Sequence, residues 1–391
     1  MVATATDAAA AVELLRTLIA FDTVSAKPNR ALIDWVADYL RGHGIEPLVL
    51  PDADGGKANL YATFGPPEAG GIVLSGHTDV VPPGDSGWDS DPFSLEERDG
   101  RLYGRGTADM KGFVALALAL VPEMAANPPP TPIHLALSYD EEVGCLGVPH
   151  LVRHITRHLP KPRLVVIGEP TSMRPASANK GLRAFRTEVT GREGHSSDPR
   201  AGLNAIEAAA EIVAFIAGLA AEARDDPVPD SGFDPPYSTF NIGTIEGGTA
   251  VNVIARHCAL AWDYRALPGE DDDAVVARFH RFVAEDLLPR LRARHRAAAV
   301  DSVEIANVPA LRPEPDGPAE ALARELTGAN ASGTVAFATE GGVFQQAGIS
   351  AVVCGPGDIA QAHQPNEFIA LDQMAAGARF LRGVLGAARR G

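Results

Sequence analysis

Acidic and imidazole side chains gather where the apolar runs of this chain stop. The run Ile72–Ser75 ends in Gly76-His77-Thr78-Asp79, Ile133–Ser138 leads into Asp140-Glu141-Glu142, and Leu164–Ile167 leads into Gly168-Glu169-Pro170. Asp109 closes the segment 104–109, just before a helical pattern that starts near Phe113, and His363 follows the apolar run ending at Cys354. This mixture of carboxylate oxygen and imidazole nitrogen suits hard and borderline cations. Two metals would need one carboxylate to bridge them across ~3.5–4 Å, with terminal ligands on each side. Asp109 can bridge, and His77 with one carboxylate and His363 with another would complete two similar sites. Adjacent Glu141 and Glu142 cannot point the same way in extended chain. One can therefore ligate while the other meets the attacking water, takes its proton and returns it to a leaving amine. A single histidine after a strand is ordinarily a hydrogen-bonded loop residue, and a single Glu pair a solvated turn. Several strand-end acids together with two loop histidines point instead to a metal site.

The elements that would position these groups follow from hydrophobic patterning. Gly71–Ser75, Ile133–Ser138, Leu164–Ile167 and Ala351–Cys354 are continuous runs rich in Val, Ile and Leu, as strands buried on both faces are. Helical patterns flank them at Ala31–His43, Phe113–Ala126, Val148–Arg157 and Gln373–Ala388. Alternating strands and helices predict an α/β fold, a mostly parallel sheet covered by helices on both faces. The carboxyl edge of such a sheet is where ligands bind. The middle of the chain differs. Leu182–Val189 and His257–Tyr264 alternate like half-exposed strands. An Ala-rich helix near Ala201–Ala223, a Pro/Asp-rich loop and a second helix near Asp271–Arg294 complete a smaller α+β insertion. The expected division is residues 1–178 with 292–391 for the metal-binding domain, and 179–291 for the insertion.

Composition narrows the class. The 391 residues carry a formal net charge of −16. An acidic surface repels phosphate backbones and anionic bilayers, so neither nucleic acid nor membrane is expected as a partner. No apolar run reaches the ~20 residues a membrane helix needs. The N-terminal stretch Ala8–Leu18 is interrupted by Glu13 and Arg16 and reads as an amphipathic helix, not a leader peptide. Cys145, Cys258 and Cys354 show no CxxC spacing and read as small buried hydrophobes in a reducing cytoplasm. His150, His154 and His158 would line one helix face, but with no acidic partner following they read as a solvated surface. No nucleophile-elbow or phosphate-loop motif occurs.

SGHTDVVPPG (75–84), GRGTADMKG (104–112), DEEVGCLG (140–147), GEPT (168–171) and GHSSDP (194–199) together resemble the M20 family of dinuclear zinc amidohydrolases and peptidases. The stretches 339–348 and 354–368 look most like its acetylornithine deacetylase branch. The resemblance implies metal ligation by His77, Asp109, Glu142, Glu169 and His363, with Asp109 bridging. It implies Glu141 as general base and Asp79 as the carboxylate orienting the first histidine. It also implies a cis peptide at Asp109–Met110. The insertion corresponds to the family's lid and dimerisation domain. There His195 and Asn252 would polarise the scissile carbonyl, and Arg265 would clamp the substrate carboxylate.

The implied function is hydrolysis of the N-acetyl amide of N2-acetyl-L-ornithine to acetate and ornithine, a step of arginine biosynthesis, in a cytoplasmic homodimer assembled through the lid. The cofactors would be two divalent metal ions, Zn²⁺ with Co²⁺ able to substitute. Glu340, beside the expected substrate loop, is a candidate for the substrate's ammonium. The rivals are succinyl-diaminopimelate desuccinylation, broader hydrolysis of N-acyl amino acids or dipeptides, and a non-catalytic metal-binding sensor. The sensor should have lost a ligand or the base, and this chain retains all of them.

Overall fold

The computed structural model describes residues 2–390, with side chains from Asp7 onward. The chain separates into two compact units. The first runs to Asn179 and resumes at Leu311–Val335 and again from Thr339; the second comprises Lys180–Ala310 with Ala336–Ala338.

The first unit is built on an eight-stranded sheet. Its order is Leu48–Pro51, Ala58–Phe64, Ile133–Ser138, Ile72–His77, Leu164–Pro170, Ser350–Gly355, Ala176–Asn179, Gly333–Val335. The central pairings are parallel: Ile72–His77 lies between Ile133–Ser138 and Leu164–Pro170, and the latter also pairs with Ser350–Gly355. The two strands at one edge run antiparallel. Side chains alternate across each strand. Leu74, Leu135, Val166 and Val352 join a core with Leu15 and Leu18 of the helix Val2–Ile19, Phe113–Leu118 of the helix Gly112–Ala119, and Leu381 and Val384 of the helix Leu371–Arg390. Val73, Val165, Ile167 and Val353 point the other way and are equally buried. That double burial is why these strands read as unbroken apolar runs. Gly112–Ala119 is apolar all round, as a helix enclosed by neighbours must be.

The second unit is a four-stranded antiparallel sheet, ordered Thr239–Gly247, His257–Arg265, Leu182–Thr190, Ala299–Val308. The helix Ala205–Asp225 packs on it, capped by the Asn204 side chain. Phe185 stacks on Trp262 at 4.5 Å, and Phe279 of the helix Asp272–Arg281 closes the same core. This unit extends past the expected boundary at 291, because Ala299–Val308 pairs along Leu182–Thr190. That strand has an exposed outer face and weak hydrophobic alternation, so its pattern does not mark it as part of the insertion.

Among the described residues no helix is long and apolar enough to cross a membrane.

Candidate metal centre

The parallel strands deliver their acids and histidine to one edge, as their sequence positions require. His77 is the last residue of Ile72–His77, Glu169 lies near the end of Leu164–Pro170, and Asp140-Glu141-Glu142 follows Ile133–Ser138. His77 Nε2 lies 3.1 Å from Asp109 Oδ1 and 3.6 Å from Glu169 Oε1. On the other side of Asp109, His363 Nε2 lies 3.4 Å from Oδ2 and 3.0 Å from Glu142 Oε2. Each oxygen of Asp109 thus faces a different histidine. The peptide Asp109–Met110 is cis.

Adjacent Glu141 and Glu142 diverge, although the chain here is a tight turn and not the extended segment expected from sequence. Glu142 turns toward His363, while an oxygen of Glu141, one of Glu169 and a ring nitrogen of His77 lie within 4.8 Å of one another.

Four carboxylates and two imidazoles in so small a volume create a charge problem. Burial opposes ionisation of Asp109, yet hydrogen bonds from His363 and His77 outweigh it and hold that carboxyl well below its usual range. Burial and the nearby Asp109 charge push Glu142 up to about 7 and Glu169 well above the carboxylate range. Hydrogen bonds to Asp109 and Glu142 push His363 up to about 10. Glu169 Oε1 is buried and has no hydrogen-bond partner among the described residues. An orphaned carboxylate oxygen beside an imidazole nitrogen, with a second carboxylate facing both histidines, is the donor set a pair of divalent cations satisfies. The residues present therefore fit such a group.

Supporting contacts hold these side chains. His77 Nδ1 donates to the Asp79 carbonyl at 2.9 Å, which leaves Nε2 to face the acids. The Asp79 carboxylate was the expected orienting group. It lies 3.7 Å from Nδ1, too far for that bond. It accepts instead from the backbone N–H groups of Glu141 and Glu142 and from the Ser25 hydroxyl. Asp79 therefore organises the Glu pair, and its backbone organises the histidine.

Glu367 was not singled out from sequence and is central. Fully buried, it accepts from the N–H groups of Gly106, Ala108 and Asp109 and pairs with the Arg105 guanidinium at 2.8 Å. The only sequence signal was its place four residues after His363. Lys57 was missed too: its ammonium bridges Asp140 and the Ser25 carbonyl.

Glu340 is buried, and its two carboxylate oxygens accept from Ser75 and Ser138 on adjacent strands. At 1% exposure Glu340 offers no open surface to an ammonium. The structure gives Glu340 a place between strands and not on a substrate surface.

The other expected residues lie in the second unit. His195 is exposed, its Nδ1 bonded to Ser197, and its strand Gly194–His195 pairs with Val253–Ile254. Ser196 N–H donates to the Asn252 carbonyl, so His195 and Asn252 are neighbours. Arg265 ends the strand His257–Arg265 and contacts Asp263. At about 3.3 Å per residue that strand is roughly 26 Å long, with Arg265 at its end and Asn252 in the chain that precedes its start.

The family profile described as "Peptidase family M20/M25/M40" matches residues 73–387. The chain is 35% identical over 382 residues to an acetylornithine deacetylase of Pasteurella multocida (strain Pm70), covering 92% of this chain and 93% of that protein. Its fold is similar to human carnosine dipeptidase 1, with a TM-score of 0.78 at 19% identity over 99% of this chain and 98% of that one. It is also similar in fold to a Bacillus subtilis protein described as a dinuclear metal-binding peptidase from the M20 family, with a TM-score of 0.64 at 15% identity over 98% and 99% of the two chains. With the profile spanning most of its length and the strand-end acids and histidines inside the matched region, the chain belongs to the M20/M25/M40 peptidase family of hydrolases.

Proposed function

We propose that this protein is a metal-dependent amidohydrolase that removes the acetyl group of N2-acetyl-L-ornithine. The observation that carries the hydrolase reading is the convergence of His77, Asp109, Glu142, Glu169 and His363 around Asp109, with Glu141 beside them. The substrate assignment is supported by relatives named acetylornithine deacetylase that match nearly the whole chain.

His77, Asp109 and Glu169 would hold one divalent ion, and Asp109, Glu142 and His363 the other; Zn²⁺ is the assignment and Co²⁺ the substitute. Two such ions, when bound, polarise the carbonyl and make water more acidic. Glu141 takes the proton of the attacking water and returns it to the departing α-amine. Its burial raises that carboxyl well above the usual range, an environment suited to carrying a proton between steps. Asp79 and Cys145 fix the Glu141 backbone and side chain on the two sides of the turn. His195 and Asn252 donate to the carbonyl oxygen as negative charge develops there, and the Arg265 fork receives the α-carboxylate.

Because Arg265 closes the strand His257–Arg265 while His195 and Asn252 lie at a separate two-stranded pairing before it, the two functions are assigned to different subunits of a homodimer formed through the second unit. The product, ornithine, places the reaction in arginine biosynthesis, and the acidic chain with free cysteines is assigned to the cytoplasm.

The test is turnover, with added Zn²⁺ or Co²⁺, on acetylornithine, succinyl-diaminopimelate and a glycine-containing dipeptide side by side. Acetylornithine should have the highest kcat/KM. Preference for either competitor removes the substrate assignment and leaves the hydrolase reading. No turnover of any of them removes both.

A further inference from the structure

We propose that the Cys145 thiol is a positioning residue that holds one carboxylate oxygen of Glu141 so that the other is presented to the attacking water. The inference rests on the hydrolase reading of Glu141. Its starting point is a single contact: Cys145 Sγ lies 3.4 Å from Glu141 Oε1. Among the described residues, this thiol is the one hydrogen-bond donor to the Glu141 carboxylate.

The backbone is shaped to make that contact. The N–H groups of Gly144 and Cys145 both donate to the Glu141 carbonyl at 2.9 Å, and Leu146 N–H donates to the Asp140 carbonyl, so the chain folds back on itself. The turn uses positive φ at Asp140 (56°), Gly144 (114°) and Cys145 (53°). A non-glycine residue with positive φ is uncommon, and cysteine is not among the types that favour it. Val143 and Leu146 on the same turn are about half exposed, whereas Cys145 is 3% exposed. The turn sends its thiol inward to an acid and leaves its larger apolar side chains in solvent. A cysteine acting only as a hydrophobe would not need that arrangement.

The electrostatic setting explains why Glu141 needs such a partner. Asp79 fixes its backbone N–H, but the side chain keeps several rotatable bonds. Glu142, Asp109 and Asp79 repel its charge while His77 attracts it, and one of its oxygens lies within 4.8 Å of ligand atoms of both His77 and Glu169. A carboxylate pulled in opposite directions needs a fixed partner to keep one orientation. A thiol is a weak donor. It can hold Oε1 without quenching the carboxylate, which leaves the other oxygen free to accept a proton from water.

Three measurements on the full-length holoenzyme test the proposal. In Cys145→Ala, kcat should fall about tenfold with KM within twofold of wild type, and chelator should extract metal at the wild-type rate. Cys145→Ser, whose hydroxyl also donates, should restore kcat to within about threefold. In infrared difference spectra, the Cys145 S–H stretch, identified by its loss in Cys145→Ala, should move to higher wavenumber in Glu141→Ala. Unchanged kcat in Cys145→Ala overturns the proposal. So does a loss of activity that serine does not restore and that comes with faster metal loss, because that pattern marks a purely structural residue. If wild type hydrolyses none of the amides, the hydrolase reading fails separately, and an S–H band that ignores Glu141→Ala then also removes the contact.

Discussion

Glu141 and the two histidines have separable jobs, and substitution should separate them. Glu141→Gln removes the proton acceptor and leaves the five ligands, so metal content should stay at wild-type level while kcat falls roughly 10²–10⁴-fold. His77→Ala or Asp109→Ala should lower metal content as well, read by elemental analysis after dialysis. Wild-type kcat in Glu141→Gln would take the base role away from that residue. Metal binding itself should depend on pH. His363 is pushed up to about 10 by Asp109 and Glu142, so below that pH it carries a proton that a metal must displace. Affinity should therefore weaken as pH falls from 8 to 6, with proton release visible by calorimetry in buffers of differing ionisation enthalpy. An affinity flat across that range would remove His363 from the ligand set.

At the scale of elements, two buried groups show how the strands are locked. Glu367 holds three N–H groups of the Asp109 loop. Glu367→Ala leaves those donors and Arg105 Nη1 without their partner, a cost of several kcal/mol at about 1–3 kcal/mol per orphaned group. Lower melting temperature together with lower metal retention is expected; a variant that loses neither would make Glu367 a bystander. His134, on the strand Ile133–Ser138, stacks on Tyr61 at 5.1 Å and bonds the Thr63 hydroxyl. Burial pushes it down to about 4, so the folded protein keeps it neutral. The unfolded chain takes up that proton near its ordinary value of 6.5, and the stability is present above that pH and lost progressively toward 4. The contribution is of order 2–4 kcal/mol. Denaturant unfolding of His134→Gln should show a shallower decline between pH 6.5 and 4 than wild type; identical slopes would exclude His134 as the titrating group.

For the whole molecule, the decisive question is which chain supplies His195. Mixing His195→Ala with Glu141→Ala, each inactive alone, should return roughly a quarter of wild-type activity. Random exchange makes half the dimers mixed, and each mixed dimer has one intact site of two. Light scattering and a subunit-exchange assay establish that hybrids form. Exchange without recovered activity would confine His195 to its own subunit or remove it from the reaction.

What the sequence determined by itself is local. Which residue types stand at strand ends follows from hydrophobic runs that stop, and His77, Glu142 and Glu169 are legible there because a parallel sheet buried on both faces leaves only its edge for polar groups. The opposed directions of Glu141 and Glu142 were expected from extended chain, but the structure obtains them from a tight turn after the strand. The contacts that make these residues a site were decided by tertiary structure. Glu367 reaches Ala108 across 259 positions, Glu340 reaches Ser75 across 265, and Ser25 reaches Asp79 across 54. Cys145, only four positions from Glu141, was equally hidden, because its partner depends on three positive φ values that no residue pattern announces. The boundary past residue 291 was missed for a related reason: strand Ala299–Val308 is defined by the partner it pairs with and not by its own alternation. Periodicity reports which face of an element is buried. The identity of the group that satisfies a buried donor or acceptor depends on which strands the fold sets side by side.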